Sequence, residues 1–108
     1  MIYELRSYIV NEGKMPLLKA RFGNVTMKFF EKHGITSVGY WTNAIGGRSD
    51  EFLYMLAYED MGHRERAWQA FQDDPDWQKA RADSQVDGAF VHYVENRFLT
   101  PTDYSPLR

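Results

Sequence analysis

The sequence predicts an α+β fold of order β-α-β-β-α-β, a ferredoxin-like arrangement with a four-stranded antiparallel sheet and both helices on one face. Three observations carry this expectation. The chain opens on an alternating run rich in Tyr, Ile and Val; two stretches repeat apolar residues at helical spacing; and two β-rich runs flank a Gly-rich link.

Residues 2–10 read as the first strand, ended by the turn Asn11-Glu12-Gly13. One face carries Tyr3, Leu5, Ser7 and Ile9. The other carries Ile2, Glu4, Arg6, Tyr8 and Val10, so two opposite charges share an otherwise apolar face. Across 15–33, Leu18, Phe22, Val25 and Phe29 form a helical stripe with a Lys- and Arg-rich back, and Gly34 supplies the stop. Residues 36–43 and 51–59 are the second and third strands, joined by the hairpin-like link 44–50.

Asp60 is placed to cap a second helix that buries Met61, Ala67, Trp68 and Phe71. That helix breaks near Asp73, and Asp74-Pro75 restarts a short one with Trp77 and Ala80 inward. Residues 89–99 form the fourth strand and 100–108 a Pro-containing tail. With no repeat, low-complexity tract or linker, residues 1–108 are expected to form one domain.

Hydrophobic residues at 44% and charged residues at 26% describe a globular chain, and 7 Tyr, 7 Phe and 3 Trp are suited to interfaces and pocket walls. A net charge of -2 argues against nucleic acid as a partner. Cysteine is absent, which removes disulfides, thiolate metal sites and cysteine nucleophiles. No stretch approaches the roughly 20 apolar residues of a membrane span, and the opening residues lack a secretory pattern, so a cytoplasmic location is expected.

One sheet face is left without helices. A face carrying Tyr8, Tyr40 or Tyr58 is expected to need a cover, and a second copy of the sheet would supply it, giving a homodimer.

Met1 to Tyr8, Gly39-Tyr40-Trp41-Thr42, Ala57-Tyr58-Glu59-Asp60 before Arg64-Glu65-Arg66, and Glu95-Asn96-Arg97-Phe98-Leu99 with Tyr104-Ser105-Pro106-Leu107 together resemble the NIPSNAP family in order and spacing. The resemblance implies a dimeric α/β barrel similar to those of antibiotic-biosynthesis and haem-degrading monooxygenases. It also implies a small-molecule pocket between sheet and helices or inside the barrel. It implies no agreed reaction. Animal members are linked to mitochondria and to recruiting partner proteins.

Glu4, Arg6, Tyr8, Tyr40, Tyr58, Glu95 and Arg97 are the candidate ligand-binding set, because Arg can fork onto a carboxylate and Tyr can donate to an anion. The competing account, which weighs more, is a structural Glu–Arg pair that fixes register. Trp41 either lines a pocket or seals the dimer seam. His92 is open to either face, and a haem or metal role for it stays open. His33 is expected to complement its own helix end and His63 to be solvated.

No metal site is expected, since the three His lack H-x-H or HExxH spacing and the acids 73–76 read as helix caps. Gly46-Gly47 reads as hairpin chemistry, and no Gly-x-Ser-x-Gly supports a serine nucleophile. No catalytic residue or required cofactor is identified. The first functional reading is a homodimeric small-molecule-binding barrel, with monooxygenase-like chemistry as the enzymatic version. The alternative is a non-catalytic interaction module using Tyr104 and Leu107 of the tail.

Overall fold

A computed structural model describes residues 1–108. Its elements are β1 (Ile2–Val10), α1 (Met15–Arg21), a π-helical segment (Phe22–Thr26), α2 (Met27–Lys32), β2 (Thr36–Thr42), β3 (Glu51–Tyr58), α3 (Met61–Asp73), α4 (Pro75–Ser84) and β4 (Val91–Leu99). The sheet has order β2-β3-β1-β4 and every neighbouring pair is antiparallel. This is the expected ferredoxin-like α+β arrangement, with the second helical stretch broken in two at Asp74.

The helix expected over 15–33 is interrupted by its π segment, and this changes which residues reach the core. A π turn carries one residue more than an α turn, so everything after it is rotated by one position. Leu18 and Phe22 are buried as expected, but the next two fully buried positions are Thr26 and Phe30, while Val25 and Phe29 are only partly covered. Arg21, assigned by pattern to the polar back, is also buried. The run ends in a Schellman motif, with Ile35 N donating to Phe30 O at 2.9 Å and Gly34 N to Glu31 O at 3.1 Å. Gly34 holds the φ of 71° that this closure requires.

Asp60 caps α3, its carboxylate accepting from His63 N at 2.8 Å. Met61 is an exception to the expected buried stripe, being exposed at the first helical position, whereas Ala67 and Phe71 are buried. His63 is not a solvated surface group. Its Nδ1 accepts from Glu59 N at 3.0 Å and its Nε2 stands 3.2 Å from Gly34 O, a pair of contacts that the Nε2–H tautomer satisfies. The ring thereby ties the start of α3 to the turn after α2.

His33 also finds a different partner from its own helix end. Its Nε2 and Lys32 Nζ both lie 2.7 Å from Asp74 Oδ2, while Asp74 Oδ1 caps α4 by accepting from Asp76 N at 2.9 Å. The acid that joins α2 to α4 is distant in sequence, so local spacing could not show it. Lys32 first, then His33, hold the Asp74 carboxyl well below the usual carboxylate range. A lowered folded value means that its contribution is fully present above an unfolded aspartate's pKa of about 3.9 and fades as pH falls below it. Asp74→Asn keeps a good cap and removes the charge. Thermal unfolding measured from pH 7 to pH 2 should show a flatter acid limb for this variant, and an unchanged limb would remove Asp74 from the acid response.

Phe22, Phe30, Tyr54, Leu56, Phe71 and Trp77 are the centre of the core between sheet and helices. The inward sheet face is Glu4, Arg6 and Tyr8 on β1, paired with Leu56, Tyr54 and Phe52 on β3. This corrects the expected cover: Tyr8, Tyr40 and Tyr58 lie on the side the helices cover. The open side carries Leu5 and Ser7, opposite Met55 and Leu53 on β3 and Arg97 and Glu95 on β4. The tail 100–108 forms no helix or strand, and its Tyr104 is exposed.

Candidate functional site

A cavity of about 220 Å³ lies between the sheet and the helices. Its floor is Arg6 and Tyr8 of β1 with Val91 and Val94 of β4. Its walls are Arg21, Phe22, Thr26 and Phe30 of the first helical stretch, Trp68 and Phe71 of α3, and Trp77 and Arg81 of α4. The interior is therefore aromatic, with basic and polar side chains set among the rings. At about 30 Å³ per water molecule, the space corresponds to about seven waters, enough for a one-ring organic molecule.

The polar groups are arranged by the strand register. Arg6 stands opposite Tyr54 and donates from Nε to the Tyr54 hydroxyl at 2.7 Å. The Tyr54 and Tyr8 hydroxyls are 2.7 Å apart. Tyr54 is fully buried, and Tyr8 is the acceptor within reach of its proton, so the chain runs Arg6 to Tyr54 to Tyr8. Tyr8 is left with its own O–H to offer, and Tyr8 lines the cavity. Burial pushes the Tyr54 hydroxyl well above its ordinary pKa, which keeps it a proton donor.

Arg6 is committed to the protein. Its Nη1 donates to Glu4 Oε2 at 2.9 Å and its guanidinium lies 4.4 Å over the Trp68 ring. Glu4 is completely buried and accepts further bonds from Arg64 Nη2 at 3.1 Å, Arg64 Nε at 3.2 Å and Asn96 Nδ2 at 2.9 Å. Burial by itself would raise the Glu4 carboxyl, but hydrogen bonds from Arg64 and Asn96 and the charge of Arg6 outweigh it and hold the group below its usual value.

Two polar atoms at the cavity have no such satisfaction. Arg21 Nε and Thr26 Oγ1 are buried without a hydrogen-bond partner, and both residues line the space. Buried polar atoms are nearly always paired, so these two stand out among the residues that wall the cavity.

The family model for NIPSNAP matches residues 3–106. The chain belongs to the NIPSNAP family. It is 32% identical over 85 residues to human NipSnap homolog 3A, an overlap covering 73% of this chain and 31% of that one. The chain thus spans under a third of the length of the curated NIPSNAP relatives it matches. A NIPSNAP family protein from Agrobacterium tumefaciens is 30% identical with a TM-score of 0.82, covering 99% of this chain and 98% of the other. SnoaB, a cofactor-independent oxygenase from Streptomyces nogalater, shares the fold at a TM-score of 0.63 and 13% identity, over 97% and 96% of the two chains.

The candidate residues of this NIPSNAP chain fall into separate places. Arg6 and Tyr8 reach the cavity. Glu4 lies beneath it. Tyr40 stacks on Tyr54 at 5.7 Å and its hydroxyl is 2.6 Å from Ser37 Oγ, with burial raising its pKa. The Tyr58 hydroxyl is buried and unpartnered, and burial raises it too. Neither Tyr40 nor Tyr58 lines the cavity.

Glu95 and Arg97 are on the opposite side of the sheet from Glu4 and Arg6. The register places Asn96 against Arg6 and Phe98 against Glu4, so the β4 charges are out of phase by one residue and line a shallow open-face depression with Leu5, Ser7 and Leu53. Trp41 is on that open side as well, its indole lying over Gly39. His92 is exposed at the irregularity where Ile9 pairs with Tyr93 but Val10 with Val91.

The cavity offers no histidine to hold a haem. His33 and His63 are bonded elsewhere, and His92 is outside. No three His, Asp or Glu side chains converge as metal ligands, and no helix is long and apolar enough to cross a membrane.

Sequence reasoning missed Tyr54, Arg21, Arg64, Arg81 and Asn96. Tyr54 had a visible signal, since alternation in β3 places it on the same face as Tyr58. Asn96 and Arg64 needed the register and the helix docking, whereas Arg21 had a signal in its spacing, three residues after Leu18 on the apolar stripe.

Proposed function

We propose that this protein is a homodimeric small-molecule-binding barrel whose ligand enters the cavity between sheet and helices. The observation that carries the pocket is a space of about 220 Å³ walled by aromatic rings, with Arg21 and Arg81 and no carboxylate among its lining residues. Monooxygenase-like chemistry is the enzymatic form of this reading, supported by the fold shared with the oxygenase SnoaB and by the Tyr8 hydroxyl, which can donate to a ligand oxygen.

A neutral single ring such as toluene should raise the unfolding temperature in a saturable way and alter tryptophan emission. Ala89→Trp, placed at the lining, should abolish both responses. Absence of either response in the unsubstituted protein would remove the pocket.

The second copy is assigned to the open sheet face. Leu5, Leu53 and Met55 are half-buried there, and Trp41 and Leu99 are exposed. Glu95 and Arg97 stand on the same side, so a two-fold axis passing between them would set each acid near the other copy's base. Light scattering should give twice the 12.7 kDa of one chain. A Cβ at Gly39 would stand 2.6 Å from the Trp41 ring, so Gly39→Leu must expel the indole from its seat. The variant is expected to be a folded monomer, and a dimer of unchanged stability would exclude Trp41 and Gly39 from the seam.

A further inference from the structure

The cavity contains a charge that the protein does not balance. Arg21 is 8% exposed, yet its only hydrogen bond is from Nη1 to Ser84 Oγ at 3.2 Å, and its Nε has none. Its guanidinium lies 4.7 Å over Phe90 and 5.7 Å over Trp77, contacts that offset part of the charge. No carboxylate lies within 4.0 Å of it. The second cation at this wall is Arg81, which is exposed and forms no ion pair or side-chain hydrogen bond.

Every other buried charge in the molecule is answered. Glu4 has Arg6 and Arg64, and Asp74 has Lys32 and His33. Burial pulls the Arg21 guanidinium below its usual value, and the charge of Arg81 adds to the pull. Burying a cation beside another cation is costly unless something negative completes the site.

We infer that the cavity takes a single-ring aromatic carboxylate, its carboxylate held by Arg21 and Arg81 and its ring set against Phe71 and Trp77. This rests on the pocket reading above and adds the charge and shape of the ligand. Three features select this class. Two guanidinium groups, those of Arg21 and Arg81, line the cavity and supply donors for the oxygens of a carboxylate. The Tyr8 O–H supplies a further donor from the cavity floor. The remaining lining is aromatic, and Phe71 and Trp77 already stack on each other at 4.8 Å, which suits a flat ring and gives nothing to a small inorganic anion.

The test compares benzoate, benzamide and inorganic phosphate on the full chain by calorimetric titration and thermal shift at fixed ionic strength. Benzoate is expected to bind more tightly than benzamide by about tenfold or more, the size of a charge-assisted contact, and phosphate not measurably. Arg81→Gln should weaken benzoate by about tenfold without changing benzamide. Arg81→Glu puts the missing carboxylate beside Arg21. It should raise the unfolding temperature of the free protein and abolish benzoate binding, with benzamide again unchanged. Because Arg81 is exposed, both variants are expected to fold.

Benzamide binding as tightly as benzoate, or benzoate binding unaffected by Arg81→Glu, would overturn the anion assignment while leaving the pocket standing. Phosphate matching benzoate would overturn the role of the ring. Binding of neither aromatic would overturn the assignment together with the pocket.

Discussion

Glu4→Ala is expected to destabilise the protein by about 3–5 kcal/mol, the range for removing one partner of a buried ion pair. Glu4 is the shared acceptor for Arg6, Arg64 and Asn96, so its loss leaves Arg64 without its buried acid and removes the acid of Arg6. A domain of this size has about 5–15 kcal/mol in total, so the expected fall in unfolding temperature is on the order of 15 °C. Urea unfolding checks the figure, and a loss below about 1 kcal/mol would place the cluster with ordinary surface pairs.

Arg64→Met gives the internal control. It leaves Glu4 with Arg6 and Asn96 and should cost less than Glu4→Ala, because the acid has two cations and Arg64 has only one buried acid. The pH response has a definite sign. The folded Glu4 carboxyl lies below its ordinary value, so its contribution is complete above about pH 4.3 and is lost as pH falls through the folded value. Stability curves of the unsubstituted protein and Glu4→Ala should therefore converge in acid.

The element order was legible because it depends on local periods. Alternation in residues 2–10, the Gly-rich link and the Asp74-Pro75 restart each leave a mark within a few residues. Which side of the sheet met the helices was not legible. Both faces of β1 carry apolar residues, and the decision depends on β3, where Phe52, Tyr54, Leu56 and Tyr58 present four large inward side chains. The site was half legible for the same reason. Arg6 and Tyr8 stand out on their own strand, whereas Glu95 and Arg97 share the composition of Glu4 and Arg6 but sit one residue out of phase. One residue of register reverses a side chain's face, and no local pattern records it. Arg21 lay hidden because its type, not its place, suggested solvent: it is three residues after Leu18 and four before Val25, on the stripe itself, where a cation is unexpected.

Phe22→Ala is expected to cost about 3–5 kcal/mol, the range for emptying a buried Phe site. The ring stands within aromatic contact of Phe52 at 4.9 Å, Tyr54 at 5.0 Å, Tyr40 at 5.7 Å, Tyr8 at 5.9 Å and Phe30 at 6.3 Å, so its removal takes a neighbour from five other rings at once. Phe22→Leu keeps much of the volume and should cost distinctly less. The same ring separates two spaces, since it lines the cavity and also a groove of about 260 Å³ beside Met27 and Trp41. Truncation joins them. The variant should then recover part of its lost stability with a two-ring neutral ligand such as indole, which binding to the folded state alone provides. Phe22 is also the first residue of the π segment whose extra residue turns Thr26 and Phe30 inward. Phe30→Ala should accordingly cost more than Phe29→Ala, although a regular α-helix would give the reverse order. Denaturant midpoints for the pair decide it, and equal losses would mean that the rotation carries no energetic weight.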